Sequence, residues 1–285
     1  MTTVAGAAVV VGVDGSPRSM DAVEVAAAEA MRRRRPLRIV HVLDRRPGAP
    51  REASPEVVHE RAAACLAEAA RMAGKVSSDV AVSTELLSGR PMPALTGLSR
   101  HASLVVVGEN GAGGLLLGSV ANHVASHAAC PVLVVRGEPR TGGPVVVGVD
   151  GDGDSAGALD FGLEEASLRG TSLVALHAWC GTDSTELTGT CEFWFGEAQE
   201  ERVLAEALAG AAVRYPEVPV RRQVARGHAG PLLADWSHLA QLMVVGERGH
   251  SGIGGALLGS VSRHLILHAD CPTTVVRSGV LSGTG

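Results

Sequence analysis

Aromatic side chains, net positive charge and long apolar runs are scarce or missing in this sequence of 285 residues. Three tryptophans, three phenylalanines and one tyrosine leave little material for stacking nucleobases, and a net charge of −5 disfavours binding to a phosphate backbone. We therefore expect no nucleic-acid partner. The sequence has no uninterrupted run of about 18 apolar residues, and its apolar N-terminus lacks a basic start, so we expect neither a membrane span nor a signal peptide.

Cysteine is sparse as well, and its distribution disfavours a disulfide framework or a zinc site. The five cysteines form an odd set without CxxC spacing, which is typical of free thiols in a reducing compartment, and we predict a cytoplasmic protein. Cys130 and Cys271 each precede a proline and an apolar run, which favours small buried hydrophobes over redox centres. His228, His250 and His264 lack metal-ligand spacing with one another, so we predict no metal site.

The most informative feature that is present is an internal repeat. Apolar residues make up 46% of the chain and charged residues 19%, which predicts a packed core, and the length suits about two domains. "VVVGVDG" occurs at residues 9–15 and again at residues 145–151, and "CPVLVVR" returns near the C-terminus as "CPTTVVR". A repeat this long indicates two whole domains. The Pro/Gly-rich "GEPRTGGP" separates a first domain at residues 1–138 from a second at residues 144–278.

Each half alternates short, Val-rich apolar segments with helical segments rich in Ala, Glu and Arg. The apolar segments show no polar alternation, which predicts strands buried on both faces of a parallel sheet. In the first half these strands are predicted at residues 8–13, 37–43, 104–107 and 132–135, with helices at residues 19–34 and 55–75. The order predicts an α/β protein with two tandem doubly wound parallel-sheet domains. Such sheets bind ligands beyond the carboxyl ends of their strands, where the strand order reverses.

A glycine-rich loop in the second half follows a predicted strand and precedes a helical stretch. Gly246, Gly249, Gly259 and Ser260 give it the spacing G-x2-G-x9-G-S. Glycines let the backbone approach a ligand, and the first amides of a helix bind an anion such as phosphate without a lysine. Asp150 ends a neighbouring predicted strand, where a carboxylate can accept ribose hydroxyl protons. A plain turn is the alternative, but the combination favours a nucleotide, and the absent Walker pattern excludes a P-loop NTPase.

Taken together, "VGVDGS", "VVVG", the G-x2-G-x9-G-S spacing and "CPVLVVR" resemble the universal stress protein family, once in each half. The resemblance implies a five-stranded flavodoxin-like or Rossmann-like fold of the adenine nucleotide alpha hydrolase-like type, with ATP bound in one branch of the family. It also implies that Asp150 meets the ribose and the backbone of Ala178 meets the adenine. By the same resemblance the phosphates are lined by Gly246, Gly249, Gly259, Ser260 and Val261. Pairing of the two halves through their last strands is implied as well, together with a homodimer.

The first half keeps most of this pattern but has a shorter loop. Its matching residues are Asp14, Val42, Gly108, Gly111, Gly118, Ser119 and Val120. Six residues separate Gly111 from Gly118, where nine separate Gly249 from Gly259. Three fewer residues shorten the reach of the loop by up to about 10 Å. Whether the first half binds ATP is therefore left open by the sequence.

The expected role is regulatory: ATP occupancy stabilises one state of the protein, and an unidentified protein partner reads that state. A slow ATPase or phosphotransferase is the alternative, but the motif supplies no lysine and no clear base, so we predict binding without rapid turnover and no catalytic residue. A nucleotide-free interaction module is the third option.

Asp152 and Asp154 would repel phosphate unless a cation such as Mg²⁺ bridges them, and a solvated turn is the commoner arrangement. His41 and His177 are predicted to be structural.

Overall fold

The computed structural model divides the chain into two compact units. The units span Met1–Arg136 and Gly137–Gly285. The described residues are 7–44, 54–109, 119–137, 140–151, 155–180, 191–210, 214–247 and 258–277, with the backbone alone for residues 191–195. No helix among them is long and apolar enough to cross a membrane.

The first unit is built around a parallel sheet with helices between its strands. Its elements are β1 (Ala8–Val13), α1 (Pro17–Arg32), β2 (Leu37–Leu43), α2 (Pro55–Val76), β3 (Val82–Ser88), α3 (Pro91–Leu98), a 3₁₀ turn (Ser99–His101), β4 (Ala102–Gly108), α4 (Ser119–His127) and β5 (Val132–Val135). The strand order is β3-β2-β1-β4-β5, and neighbouring strands are parallel.

The second unit repeats this architecture. Its elements are β6 (Val145–Val149), α5 (Ala156–Arg169), β7 (Leu173–Trp179), α6 (Cys191–Ala209), β8 (Val220–Arg226), α7 (Ala229–Ser237), β9 (Leu242–Gly246), α8 (Ser260–His268) and β10 (Thr273–Val276). The strand order is β8-β7-β6-β9-β10, again parallel throughout the described pairs. The predicted α/β fold class is therefore confirmed in both halves.

The strand order reverses once in each unit. The chain first builds outward from β1 to β3 and then returns to add β4 on the other side of β1, and the second unit does the same with β6 and β9. The two helices that leave these neighbouring strands therefore diverge to opposite faces, and a crevice opens between their starts. Asp14 and Gly108 flank this position in the first unit, and Asp150 and Gly246 flank it in the second.

The core lies along the central strands. Val9, Val10 and Val11 are buried in succession, as are Val145, Val146 and Val147. Successive side chains of a strand point to opposite faces, so consecutive burial requires cover on both faces of the sheet. The outer strands β3 and β8 carry exposed residues at their ends and near their starts, which suits the edge of a sheet.

One helix begins earlier than the sequence pattern predicts. The predicted helix at residues 19–34 begins at Pro17 and ends at Arg32. Ser16 caps it, because its hydroxyl accepts a hydrogen bond of 3.2 Å from the Ser19 amide. Pro17 follows at the first helical position, where the missing amide proton costs nothing.

The cysteines that precede the last strands are core residues. Cys130 is 5% exposed, and Cys271 has no exposed surface. Burial raises the pKa of each thiol to about 12, so neither forms a thiolate near neutral pH. The structure therefore supports the prediction that they act as small hydrophobes.

A buried ion pair recurs in the first helix of each unit. Glu165 of α5 has no exposed surface, and Arg169 donates to it at 2.8 Å one turn later. The same guanidinium donates at 3.2 Å to Gln241, whose amide donates in turn to the carbonyl of Gly143 at 2.6 Å. In α1 the matching Glu29 is equally buried and pairs with two arginines of the helix end. Each helix therefore places a buried carboxylate next to arginine, although Glu29 Oε2 and Arg33 Nε make no hydrogen bond within the described part of the chain.

Replacing Glu165 with Gln should destabilise the second unit. The substitution keeps the side-chain shape but removes the buried negative charge that pairs with the Arg169 guanidinium, which costs about 3 kcal/mol. Urea denaturation of the full chain measures the free energy of unfolding. Glu206→Gln is the matched control, because Glu206 lies exposed on α6. Equal stabilities of the two variants would contradict this account of the pair.

Candidate ligand-binding site

The predicted site residues of the second unit lie along one edge of its sheet. Asp150 follows β6, and Gly246 ends β9, the neighbouring strand. Ala178 lies in β7 on the other side of β6, one residue beyond His177, which pairs with Val149. The structure therefore brings the carboxylate, the strand backbone and the loop start to one edge. Gly249, Asp152 and Asp154 lie outside the described residues.

The Asp150 carboxylate is held in place by a serine that the sequence analysis missed. The Asp150 amide donates to the Ser155 hydroxyl at 3.0 Å, and that hydroxyl donates back to Asp150 Oδ1. Ser155 is buried. Gly151 makes the intervening turn possible, since its φ of 84° falls in the left-handed region. The turn therefore fixes both the position and the direction of the carboxylate.

The first unit contains the same turn. The Asp14 amide donates to the buried Ser19 hydroxyl at 3.3 Å, and Gly15 has a φ of 84° like Gly151. Asp14 also accepts a hydrogen bond of 2.9 Å from the Ser16 amide. A serine five residues after the aspartate in both repeats was the signal available in the sequence.

The N-terminus of α8 is fastened to the end of β9. The Gly259 amide donates to the Glu247 carbonyl at 2.8 Å, and the Arg263 amide closes the first helical turn onto Gly259. The hydroxyl of Ser262, a buried residue, donates to the Gly246 carbonyl at 2.6 Å. These bonds set the helix start beside the strand end that faces Asp150.

The first amides of α8 have no hydrogen-bond acceptor among the described residues. Gly259 stands at the N-cap position and has no side chain with which to cap the helix. Within the part of the chain that the structure describes, no group accepts from the amides of Ser260 and Val261. Ser260 is exposed and Val261 is half-buried. Such amides lie at the positive end of the helix dipole and suit an anion.

An acidic residue at the loop start is neutralised within the unit. Glu247 follows β9 and is nearly buried, and Arg277, which follows β10, donates to it at 3.0 Å. In the first unit Glu109 pairs with Arg136 in the corresponding way, and Arg18 approaches the same carboxylate at 3.4 Å. Each glutamate therefore sits beside the candidate anion site with its charge compensated.

The first unit has the corresponding residues at its own sheet edge, with two differences. Asp14 follows β1, Val42 lies in the neighbouring β2, and Gly108 ends β4. Ser119 and Val120 begin α4, with Ser119 exposed and Val120 half-buried, whereas Gly111 and Gly118 lie outside the described residues. The first difference is the shorter loop. The second is Ala121, which stands where the second unit has Ser262, so α4 lacks that hydroxyl tether.

His177 has a structural role beneath the Asp150 turn. Its Nδ1 donates to the Val149 carbonyl at 2.8 Å, and its Nε2 lies 2.8 Å from Glu200 Oε2 on α6. The side chain is buried, and both ring nitrogens are engaged. In the first unit burial lowers the pKa of His41, while the Val13 carbonyl and Asp14 act in the opposite direction. The contacts of His177 agree with the structural role predicted for it, whereas the buried Nδ1 of His41 has no hydrogen-bond partner among the described residues.

The fold and the repeated sheet edge define a tandem protein of two flavodoxin-like, Rossmann-like domains. The model of the universal stress protein family matches residues 7–136 and 143–277. The chain is 38% identical over 299 residues to a universal stress protein of Mycobacterium tuberculosis, covering 94% of each chain. It is 38% identical over 285 residues to one of Mycobacterium bovis, covering 94% of this chain and 96% of that relative. This chain therefore belongs to the universal stress protein family.

Solved structures share the fold at lower identity. The crystal structure of a universal stress protein from Archaeoglobus fulgidus is 19% identical, covers 95% of this chain and 96% of its own, and has a TM-score of 0.72. A functionally unknown protein from Pseudomonas aeruginosa is 20% identical, covers 96% of this chain and 93% of its own, and has a TM-score of 0.67. At this identity the similarity supports the fold alone.

Gly108→Ala should disturb the crevice of the first unit. A methyl group at Gly108 would lie 2.8 Å from the Arg18 carbonyl oxygen, so the start of α1 must move, at a cost of about 2 kcal/mol. Gly97→Ala is the control, because open space surrounds that helical position and alanine there should stabilise by about 0.5–1 kcal/mol. Thermal unfolding of both variants measures the difference. Opposite signs are expected, and a stabilised Gly108→Ala variant would refute the close approach.

Proposed function

We propose that this protein binds ATP at the carboxyl edge of its second unit and that nucleotide occupancy regulates a partner protein. The observation that carries the proposal is the start of α8. Ser260 and Val261 offer amides without an acceptor among the described residues, and Ser262 and Gly259 tie that helix start to the strand end. A phosphate bound there would accept those amide hydrogen bonds and meet the positive end of the helix dipole.

The charged groups at the carboxyl edge of the second unit's sheet suit a ligand in which phosphate groups are attached to a ribose. Glu247 is paired with Arg277, so its repulsion of phosphate is reduced. Asp150 accepts a hydrogen bond from Ser155, and we propose that the same carboxylate accepts ribose hydroxyls. The backbone of Ala178 lies in the adjacent strand at the point where β6 ends, and we propose that its carbonyl meets the adenine.

Binding is a better account of this site than rapid turnover. Phosphoryl transfer needs a positioned base or water-orienting group together with cationic help. His177 is engaged by Val149 and Glu200, and Glu247 is engaged by Arg277, so neither is poised as a base. We therefore infer a regulatory role in a cytoplasmic protein. The homodimer, the pairing of the two halves and a contribution of Mg²⁺ stay predictions.

The first unit supports a second candidate role as a nucleotide-free interaction module. Its loop is three residues shorter, and Ala121 provides no hydroxyl with which to tether α4 to the strand end. Its Asp14 turn is nevertheless the same as the Asp150 turn. The first unit thus keeps the ribose side of the site and loses part of the phosphate side.

Purified protein should retain adenine nucleotide in its second unit. After denaturation of untagged protein, chromatography should identify about one ATP per chain, and bound ATP should persist for hours under single-turnover conditions, with Mg²⁺ or with EDTA. Gly259→Val should abolish retention, because a β-branched side chain at the helix start blocks the approach of phosphate. Gly210→Val is the control at a position surrounded by open space.

The other outcomes of this experiment separate the rival functions. Hydrolysis within minutes that Gly259→Val abolishes would identify an ATPase instead. The absence of released nucleotide, together with no thermal shift on adding ATP, would leave the interaction module.

Asp150→Asn should weaken ATP binding about tenfold, because a charge-assisted hydrogen bond to the ribose is lost. The same variant should lose the preference for ATP over 2′,3′-dideoxy-ATP, since the carboxylate acts through those hydroxyls. Asp14→Asn is the matched control in the first unit. Isothermal titration calorimetry measures the dissociation constants, and circular dichroism checks the fold. An Asp150→Asn variant that still discriminates between the two nucleotides would rule out this role for Asp150.

A further inference from the structure

Two histidine pairs recur at matching places in the two units. His123 and His127 lie one turn apart on α4, and His264 and His268 lie one turn apart on α8. The ring centroids are 4.2 Å apart in the first pair, whose planes are stacked at 18°, and 4.5 Å apart in the second, whose planes are tilted by 42°. Because an imidazole lone pair lies in the plane of its ring, one ring of the first pair must rotate about its Cβ–Cγ bond before both nitrogens can meet one ion. Neither pair takes part in the candidate nucleotide site, which lies at the start of each helix, whereas the histidines stand at its middle and its last residue.

We propose that each pair binds one divalent transition-metal ion of the nickel, copper and zinc class. Residues four apart on a helix share a face, and two imidazoles at this spacing can coordinate one ion. Imidazole nitrogen suits these metals, whereas Mg²⁺ and Ca²⁺ prefer oxygen ligands. The proposal does not depend on nucleotide binding.

The hydrogen bond made by His127 Nδ1 leaves the Nε2 atom of the same ring for a metal ion. His127 Nδ1 lies 2.9 Å from the His123 carbonyl oxygen, and a carbonyl can only accept, so Nδ1 carries the proton. With Nδ1 protonated in this way, Nε2 is the ring nitrogen left to bind a metal ion, and the side chain is exposed. Metal-bound histidines are commonly held in this way, with the other ring nitrogen donating to the backbone.

The packing of α7 against α8 fixes one of these rings. A methyl group built on Gly230 of α7 would lie 3.0 Å from His264 Cγ, so this position makes room for the imidazole by being glycine. His264 is therefore held by the neighbouring helix, while His268 is exposed and can adjust to an ion. Ring immobilisation of one ligand reduces the entropy lost on coordination.

The proposed sites are open. Among the described residues no third histidine, cysteine or carboxylate joins either pair to form a metal-binding cluster. Water would therefore complete the coordination sphere, and the ions would exchange readily, unlike the closed tetrahedral sites of structural zinc. Two repeated sites also give the test a simple stoichiometry.

The test is a titration of the untagged, EDTA-treated full chain with Ni²⁺, without nucleotide, in which isothermal titration calorimetry at pH 7.5 measures the binding. The wild type should bind about two ions per chain, His127→Asn and His268→Asn about one each, and the double variant none, because one imidazole alone holds the ion weakly. His59→Asn should leave the stoichiometry unchanged. His59 is exposed on α2 with the same Nδ1–carbonyl bond, 2.8 Å to Pro55, and has no histidine one turn away.

Melting temperatures without metal show whether each variant is folded. Mg²⁺ in place of Ni²⁺ should give no binding isotherm that depends on these histidines. Equal Ni²⁺ stoichiometry in the wild type and the folded double variant would overturn the proposal, as would a wild type that binds no Ni²⁺.

Discussion

The fastening of the α8 N-terminus to the end of β9 is the constraint on which the candidate site depends. Helix amides point along the helix axis, so their aim is decided by where the helix starts. Hydrogen bonds from Gly259 to the Glu247 carbonyl and from Ser262 to the Gly246 carbonyl fix the position of that start. The side chain of Glu247 is held in turn by Arg277. A shift of this helix would move its first amides away from the end of β9.

The two units share one side of the site and differ on the other. The Asp14 and Asp150 turns have the same glycine conformation and the same supporting serine hydroxyl. The two units differ beyond β4 and β9, because Ala121 of α4 stands where α8 has Ser262 and the loop that precedes α4 is shorter. Duplication has therefore kept the frame of the sheet, while the groups that would hold phosphate changed in one copy. The histidine pairs of α4 and α8 persist in both copies.

Much of the fold was predictable because the relevant patterns are local. Uninterrupted Val-rich segments predicted the central strands, and Asp150 and Gly246 lie at strand ends as predicted. Ser155 and Ser262 were missed, since an isolated serine has the same local pattern whether or not its hydroxyl meets a carboxylate or a carbonyl. Glu200 was missed for a related reason. Only the packing of α6 over the sheet brings it to His177, 23 residues earlier in the chain.

The sequence by itself determined the duplication, the parallel α/β architecture and the glycine and aspartate positions at the strand ends, because periodicity and turn chemistry act between residues close in the chain. Tertiary structure alone decided which polar groups of the described residues are paired within the protein. That depends on contacts across neighbouring strands and between helices, such as Arg277 with Glu247 and Gly230 beside His264, whose partners lie 30 or more residues apart.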